Sequence, residues 1–116
     1  MDKTIRLYQQ DPYLKSCDSK VVAVITDEAE IAELGGIEEK DTFCLVLDQT
    51  VFFPEGGGQP SDLGQISGES GTFELVYAFE NDNIVYHQLK IHSGSDFATT
   101  RETLKEITGT AVQCRL

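Results

Sequence analysis

The sequence is poor in three things, and each shortage narrows what it does. Basic residues are few: nine Lys and Arg stand against twenty Asp and Glu, a formal net charge of −11. Binding to nucleic acid is driven largely by cations that neutralise phosphates. The nine here do not cluster along the chain, so this segment alone is not expected to grip RNA strongly. Cysteine is scarce: Cys17, Cys44 and Cys114 form an odd, widely spaced set with no C-x-x-C pair. That argues against a disulfide framework or a zinc ribbon and for reduced, partly buried thiols that pack as small hydrophobes. Long apolar runs are missing. The longest span a few residues, far short of the roughly 20 that cross a membrane. Met1 leads into Asp2 and Lys3, not into an apolar leader. These features read as a cytoplasmic protein without a membrane partner.

What is present is a series of β-prone runs separated by turns. The length of 116 residues suits one domain with a single core. Ile5 and Leu7 alternate with polar neighbours as a short edge strand does, ahead of the turn signal Asp11-Pro12. Residues 21–25 are β-branched. Residues 43–47 are apolar on both faces, as in a central strand, and continue through Phe52 and Phe53 until Pro54 breaks them. Residues 63–66 start the next strand and 68–71 turn it back. Residues 72–79 alternate, with Phe73, Leu75, Tyr77 and Phe79 on one face. Asn81-Asp82-Asn83 turns again. Residues 84–89 and 110–116 alternate as strands. This spacing predicts a mainly β fold, a sandwich or small barrel.

Two helices are expected beside the strands. Residues 27–34 read as a short acidic helix capped by Thr26 or Asp27, or as a connecting loop, with Gly35-Gly36 ending either. Residues 99–107 have a stronger pattern: Thr99 and Glu102 fit a capping box, and Leu104 and Ile107 share a face. Glu28, Glu30, Glu33, Glu38 and Glu39 read as a solvated charged face rather than a metal site. Tyr8 and Tyr13 are expected to pack against the β structure.

The chain is organised around residues 47–64, where Gly56, Gly57 and Gly58 lie between two apolar runs. Three successive glycines cost entropy on folding, so they need a reason: a wide turn, or a backbone that another molecule approaches closely. No Gly-Lys-Ser/Thr follows, and no helix pattern begins after them, so neither a phosphate-binding loop nor a dinucleotide fingerprint is present.

Asp48, Thr50, Phe52, Pro54, Glu55, Gly56, Gly57, Gly58, Gln59, Pro60, Asp62 and Gly64 together resemble the glycine-rich motif of alanyl-tRNA synthetase editing regions and of the freestanding AlaX-type editing proteins. Phe53 departs from that pattern, standing where a tyrosine is usual, and so lacks a hydroxyl. The opening residues 7–14 also look like the start of freestanding editing proteins. The resemblance implies a small β-barrel of the translation-factor type with one or two short helices. It implies that residues 1–116 are the N-terminal domain of an aminoacyl-tRNA hydrolase that protects translation fidelity. A C-terminal domain absent from this chain would carry His-x-x-x-His and Cys-x-x-x-His pairs and a zinc ion, and would deacylate Ser- or Gly-tRNA(Ala). The chain itself would need no cofactor. Its expected partners are that editing domain and, through the full-length protein, the acceptor end of tRNA(Ala). Thr50, Phe52, Gly56, Gly57, Gly58, Gln59 and Asp62 are expected to form the loop that faces the substrate. The alternative is a non-catalytic acidic barrel that binds a protein partner through an exposed patch.

No residue is assigned a catalytic or metal-binding role. His87 and His92 are five apart, which sets them on opposite faces of a strand and makes a poor metal pair. His87, between Val85 and Leu89, is expected to be a packed histidine with one ring nitrogen hydrogen-bonded. Nothing in the sequence marks a base for Ser61. Asp48 and Asp62 read as acceptors for backbone N–H groups in preference to an acid pair.

Overall fold

A computed structural model describes residues 3–11, 13–39, 41–56, 60–68, 71–90, 104 and 106–116. In chain order the elements are β1 (Ile5–Arg6), α1 (Leu7–Gln10), β2 (Ser16–Ile25), α2 (Glu28–Leu34), β3 (Thr42–Leu47), β4 (Gln49–Thr50), β5 (Gly64–Gly68), β6 (Gly71–Asn81), β7 (Ile84–Lys90) and β8 (Ala111–Arg115). Six strands close an antiparallel barrel in the order β2-β3-β7-β6-β5-β8, with β8 returning to β2. Closure leaves these strands no open edge. β1 and β4 form a separate two-stranded parallel patch, Ile5 opposite Gln49 and Arg6 opposite Thr50.

Period-two burial divides the core. Phe43, Leu45 and Leu47 of β3 point into the barrel with Val21, Phe52, Ile66, Leu75, Leu89 and Cys114. Cys44 and Val46 point outward, into a second cluster of Ile31, Phe79, Ile84 and Tyr86 beneath α2. A strand covered on both faces must be apolar throughout, which is why β3 reads as a central strand. α2 starts where the Asp27 carboxylate accepts the Ala29 N–H at 3.0 Å. It ends at Gly35, whose φ of 121° suits a residue without Cβ. Ile31 is its buried residue, and Glu28, Glu30 and Glu33 are exposed. The solvated face expected of these glutamates is what the helix shows.

Four local expectations change. Phe73, Leu75, Tyr77 and Phe79 do not share one face: the β6–β7 register shifts between Leu75 and Tyr77. The extra residue of that bulge reverses the alternation. Phe73, Leu75 and Ala78 therefore fill the barrel, while Phe79 and Tyr77 join the outer cluster. The apolar run after β3 is not one strand through Phe53: it breaks at Asp48 and restarts as β4 beside β1. Leu7 lies in α1 rather than in a strand. Tyr13 does not pack, being 87% exposed.

The turn before β7 is built as its residues suggest, with Asp82 and Asn83 at φ 54° and 65°, the tight hairpin geometry. β5 and β6 pair as far as Gly68 opposite Gly71. The helix expected over 99–107 falls mostly outside the described residues, but Leu104 is buried in the barrel core and Ile107 packs against it.

Candidate functional site: a glycine loop braced from the barrel interior

The loop that follows β4 is held from beneath by a chain of buried hydrogen bonds. His87 lies on β7, fully enclosed. Its Nδ1 is 3.0 Å from the Leu45 carbonyl oxygen, and a carbonyl only accepts, so the proton sits on Nδ1. Nε2 is then an acceptor, and the Thr50 hydroxyl donates to it at 2.8 Å. The same hydroxyl oxygen accepts the Phe52 N–H at 3.0 Å. Both ring nitrogens are therefore engaged, one more than the sequence suggests. The Phe52 ring meets the imidazole edge to face, with centroids 5.7 Å apart. Burial holds the His87 pKa down to about 4 against a smaller upward pull from the Leu45 bond. The ring is neutral at physiological pH and has no lone pair free for a metal.

A second brace closes the base of the loop. The Asp62 carboxylate accepts the Phe53 N–H at 2.9 Å, and the Asp62 N–H donates to the Phe53 carbonyl at 3.0 Å. Asp48 does the same between strands: its carboxylate accepts the Lys20 N–H at 2.8 Å, and its N–H donates to the Lys20 carbonyl at 3.1 Å. Both aspartates are backbone acceptors, as their surroundings in the sequence suggest. Beyond Phe53, Pro54 is buried. The Glu55 N–H bonds the Ala78 carbonyl at 2.8 Å, and its carboxylate accepts the Tyr77 hydroxyl at 3.3 Å. Phe53 is 45% exposed, and its ring tilts against Tyr8 at 4.8 Å.

The residues expected in the substrate-facing loop thus divide. Thr50 and Phe52 are buried and Asp62 is bonded across the loop base, so these three fix the loop from below. Gly56 is exposed on it. Gly57, Gly58 and Gln59 lie outside the described residues. At Gly56 a Cβ would meet nothing within 4 Å, and its φ is not positive. Neither packing against the described residues nor backbone conformation demands glycine there. Gly64, at the start of β5, is the opposite case: a Cβ would overlap the Arg115 carbonyl oxygen and stand 2.7 Å from the Phe52 ring.

The Thr50–His87 bond is the detail of this site that the sequence hides. The two residues are 37 apart in the chain, and only the fold brings them together. Among the described residues no group of three His, Cys, Asp or Glu side chains is placed to hold a metal ion, and no helix is long and apolar enough to cross a membrane. His92 lies outside those residues.

Comparison with known proteins gives this geometry its setting. The profile of the family described as tRNA synthetases class II (A) matches residues 2–108, nearly the whole chain. The chain belongs to that family. Within it, an alanine–tRNA ligase of Halobacterium salinarum is 36% identical over 94 residues, covering 81% of this chain and 9% of the ligase. The alanyl-tRNA editing protein AlaX-L of Pyrococcus horikoshii is 38% identical over 82 residues, covering 71% of this chain and 17% of that protein. A second alanine–tRNA ligase, from Methanobrevibacter smithii, is 47% identical over 62 residues. This member of the synthetase family thus spans less than a fifth of the relatives it matches, a single barrel's worth of far longer proteins.

Proposed function

We propose that this barrel is the accessory N-terminal domain of an alanyl-tRNA editing hydrolase, with its glycine loop turned towards the aminoacyl end of the tRNA. The observation that carries the reading is Gly56, a glycine for which the described part of the barrel has no need. It stands exposed on a loop whose base is tied by Asp62 and whose stem is anchored to His87. A rigid stem under a bare backbone suits close approach by another molecule. Backbone N–H groups of a glycine run and the amide of a glutamine are donors of the kind that can meet an aminoacyl ester. Membership of the synthetase family and the likeness to an editing protein support the same conclusion.

In this reading the barrel positions and another domain reacts. The zinc ion and the hydrolysis of Ser- or Gly-tRNA(Ala) belong, in this reading, to a separate catalytic domain, which the likeness to a longer editing protein supports. Phe53, Leu63 and Leu116 are 45%, 64% and 42% exposed. Leu63 and Leu116 line one shallow cavity of about 500 Å³ with Gly64 and Arg115. These apolar surfaces beside the loop suit docking of the catalytic domain. The net charge of −11 supports leaving the main grip on tRNA to that domain too.

A deacylation assay tests the division of labour. The 116-residue chain, incubated with Ser-tRNA(Ala) with and without zinc, is expected to release serine no faster than buffer, while the full-length parent turns the substrate over. Turnover by the isolated chain contradicts the reading, because a reaction centre would then lie inside the barrel.

A further inference from the structure

The barrel closes along the β2–β8 seam, and two of its three cysteines face each other there. Cys17 of β2 is the direct register partner of Cys114 of β8. Residues opposite each other on antiparallel strands have Cα atoms about 4.5 to 5.5 Å apart, within the span that a disulfide bridges. The side chains also point the same way. The Ser19 hydroxyl oxygen is 3.3 Å from the Cys17 sulfur and 3.8 Å from the Cys114 sulfur. Cys114 is fully buried, while Cys17 is partly open to solvent. The pair is thus a reachable thiol backed by an enclosed one.

From this geometry we infer that Cys17 and Cys114 form a peroxide-reactive thiol pair, oxidised to a cross-strand disulfide that locks the barrel seam. The electrostatics agree. The neighbouring Cys114 thiol, helped by Ser19 and the backbone at Val51, lowers the Cys17 pKa to about 7 against the opposing effect of burial. The thiolate is the nucleophilic form. Cys114 is pushed the other way, by Cys17 beside it and by burial, and keeps its proton. Cys44 is buried with its pKa raised to about 12 and belongs to the outer cluster, away from the pair.

The chemistry balances with a hydroperoxide as oxidant. The Cys17 thiolate attacks one peroxide oxygen; the S–O bond forms, the O–O bond breaks, and the departing oxygen takes a proton to leave as water or an alcohol. The sulfur, now a sulfenic acid, is oxidised by two electrons. The Cys114 sulfur then attacks it, the S–S bond forms, and hydroxide leaves with the Cys114 proton as water. Ser19, which contacts both sulfurs, donates its hydroxyl to the Gln49 carbonyl of β4 at 2.7 Å, so the modification sits under the strand that leads into the glycine loop.

The test treats the reduced 116-residue chain with hydrogen peroxide, blocks remaining thiols with N-ethylmaleimide in denaturant, and maps the products by mass spectrometry. The expected product has lost two hydrogens, carries one maleimide at Cys44, and yields a cross-linked tryptic pair of residues 16–20 and 106–115. Cys114→Ser should stop at a Cys17 sulfenic acid that dimedone traps, and Cys17→Ser should leave Cys114 reduced. Three maleimides on the wild-type chain, at a peroxide dose that oxidises an equal concentration of glutathione, would overturn the inference. So would a cross-link that includes Cys44. The wild-type map decides the matter even where a serine variant does not fold.

Discussion

His87→Ala is expected to destabilise the barrel by about 3–5 kcal/mol, a loss that combines a cavity with orphaned polar groups. The ring fills an enclosed space against Phe52. Its removal also strips the Thr50 hydroxyl of its acceptor and the Leu45 carbonyl of a donor. The same enclosure gives the wild type a pH signature. In the unfolded chain His87 titrates near the ordinary value of 6.5, and in the fold at about 4. Between those values the unfolded state binds a proton that the folded state refuses, so stability falls as pH drops. The contribution is whole above pH 6.5 and gone below about 4; between pH 7 and 5 it amounts to about 2 kcal/mol. Urea unfolding of both proteins at the two pH values isolates this part, since the many surface carboxylates are common to both. A variant within about 1 kcal/mol of wild type, or an equal pH dependence in the two, would mean that the imidazole is not enclosed as described.

Gly64→Val carries the second large effect, roughly 3 kcal/mol or more. Its Cβ would enter the Arg115 carbonyl oxygen, and a backbone atom in a closed barrel has little room to yield. β8 would have to pull away from β5 at the Gln65–Arg115 pair, or the Phe52 ring would have to leave the core. Either move loosens the stem of the glycine loop. The urea midpoint should drop sharply. A midpoint close to that of wild type would show that β5 and β8 approach less closely than their pairing implies.

Much of this was legible beforehand, and what was not has a physical reason. The barrel could be read from short β-prone runs and turn residues because each is a local signal, and β3 announced itself as central by being apolar on both faces. The bulge in β6 left no trace. Phe73, Leu75, Tyr77 and Phe79 alternate perfectly in sequence, and only pairing with β7 reveals the shift that sends Tyr77 and Phe79 outward. Tyr13 misled for a related reason: aromatic character says nothing about whether a neighbour exists, and here it is exposed. At the site, the glycine motif stood out at once, whereas the bond between Thr50 and His87 needed the fold to bring the two together. The cysteine pair is the same kind of case, since 97 positions of chain separate partners that lie opposite each other across the barrel seam.

Two glycines at the ends of one loop therefore carry opposite expectations: the barrel requires Gly64, whereas the described residues make no demand for glycine at Gly56. The most direct test of the account is the single-turnover deacylation rate of Ser-tRNA(Ala) by the full-length parent carrying Gly56→Val. We predict a fall of at least about tenfold, with zinc content and unfolding midpoint unchanged, because no described residue lies within 4 Å of where the new Cβ would stand. A wild-type rate from that variant would remove the glycine loop from the reaction.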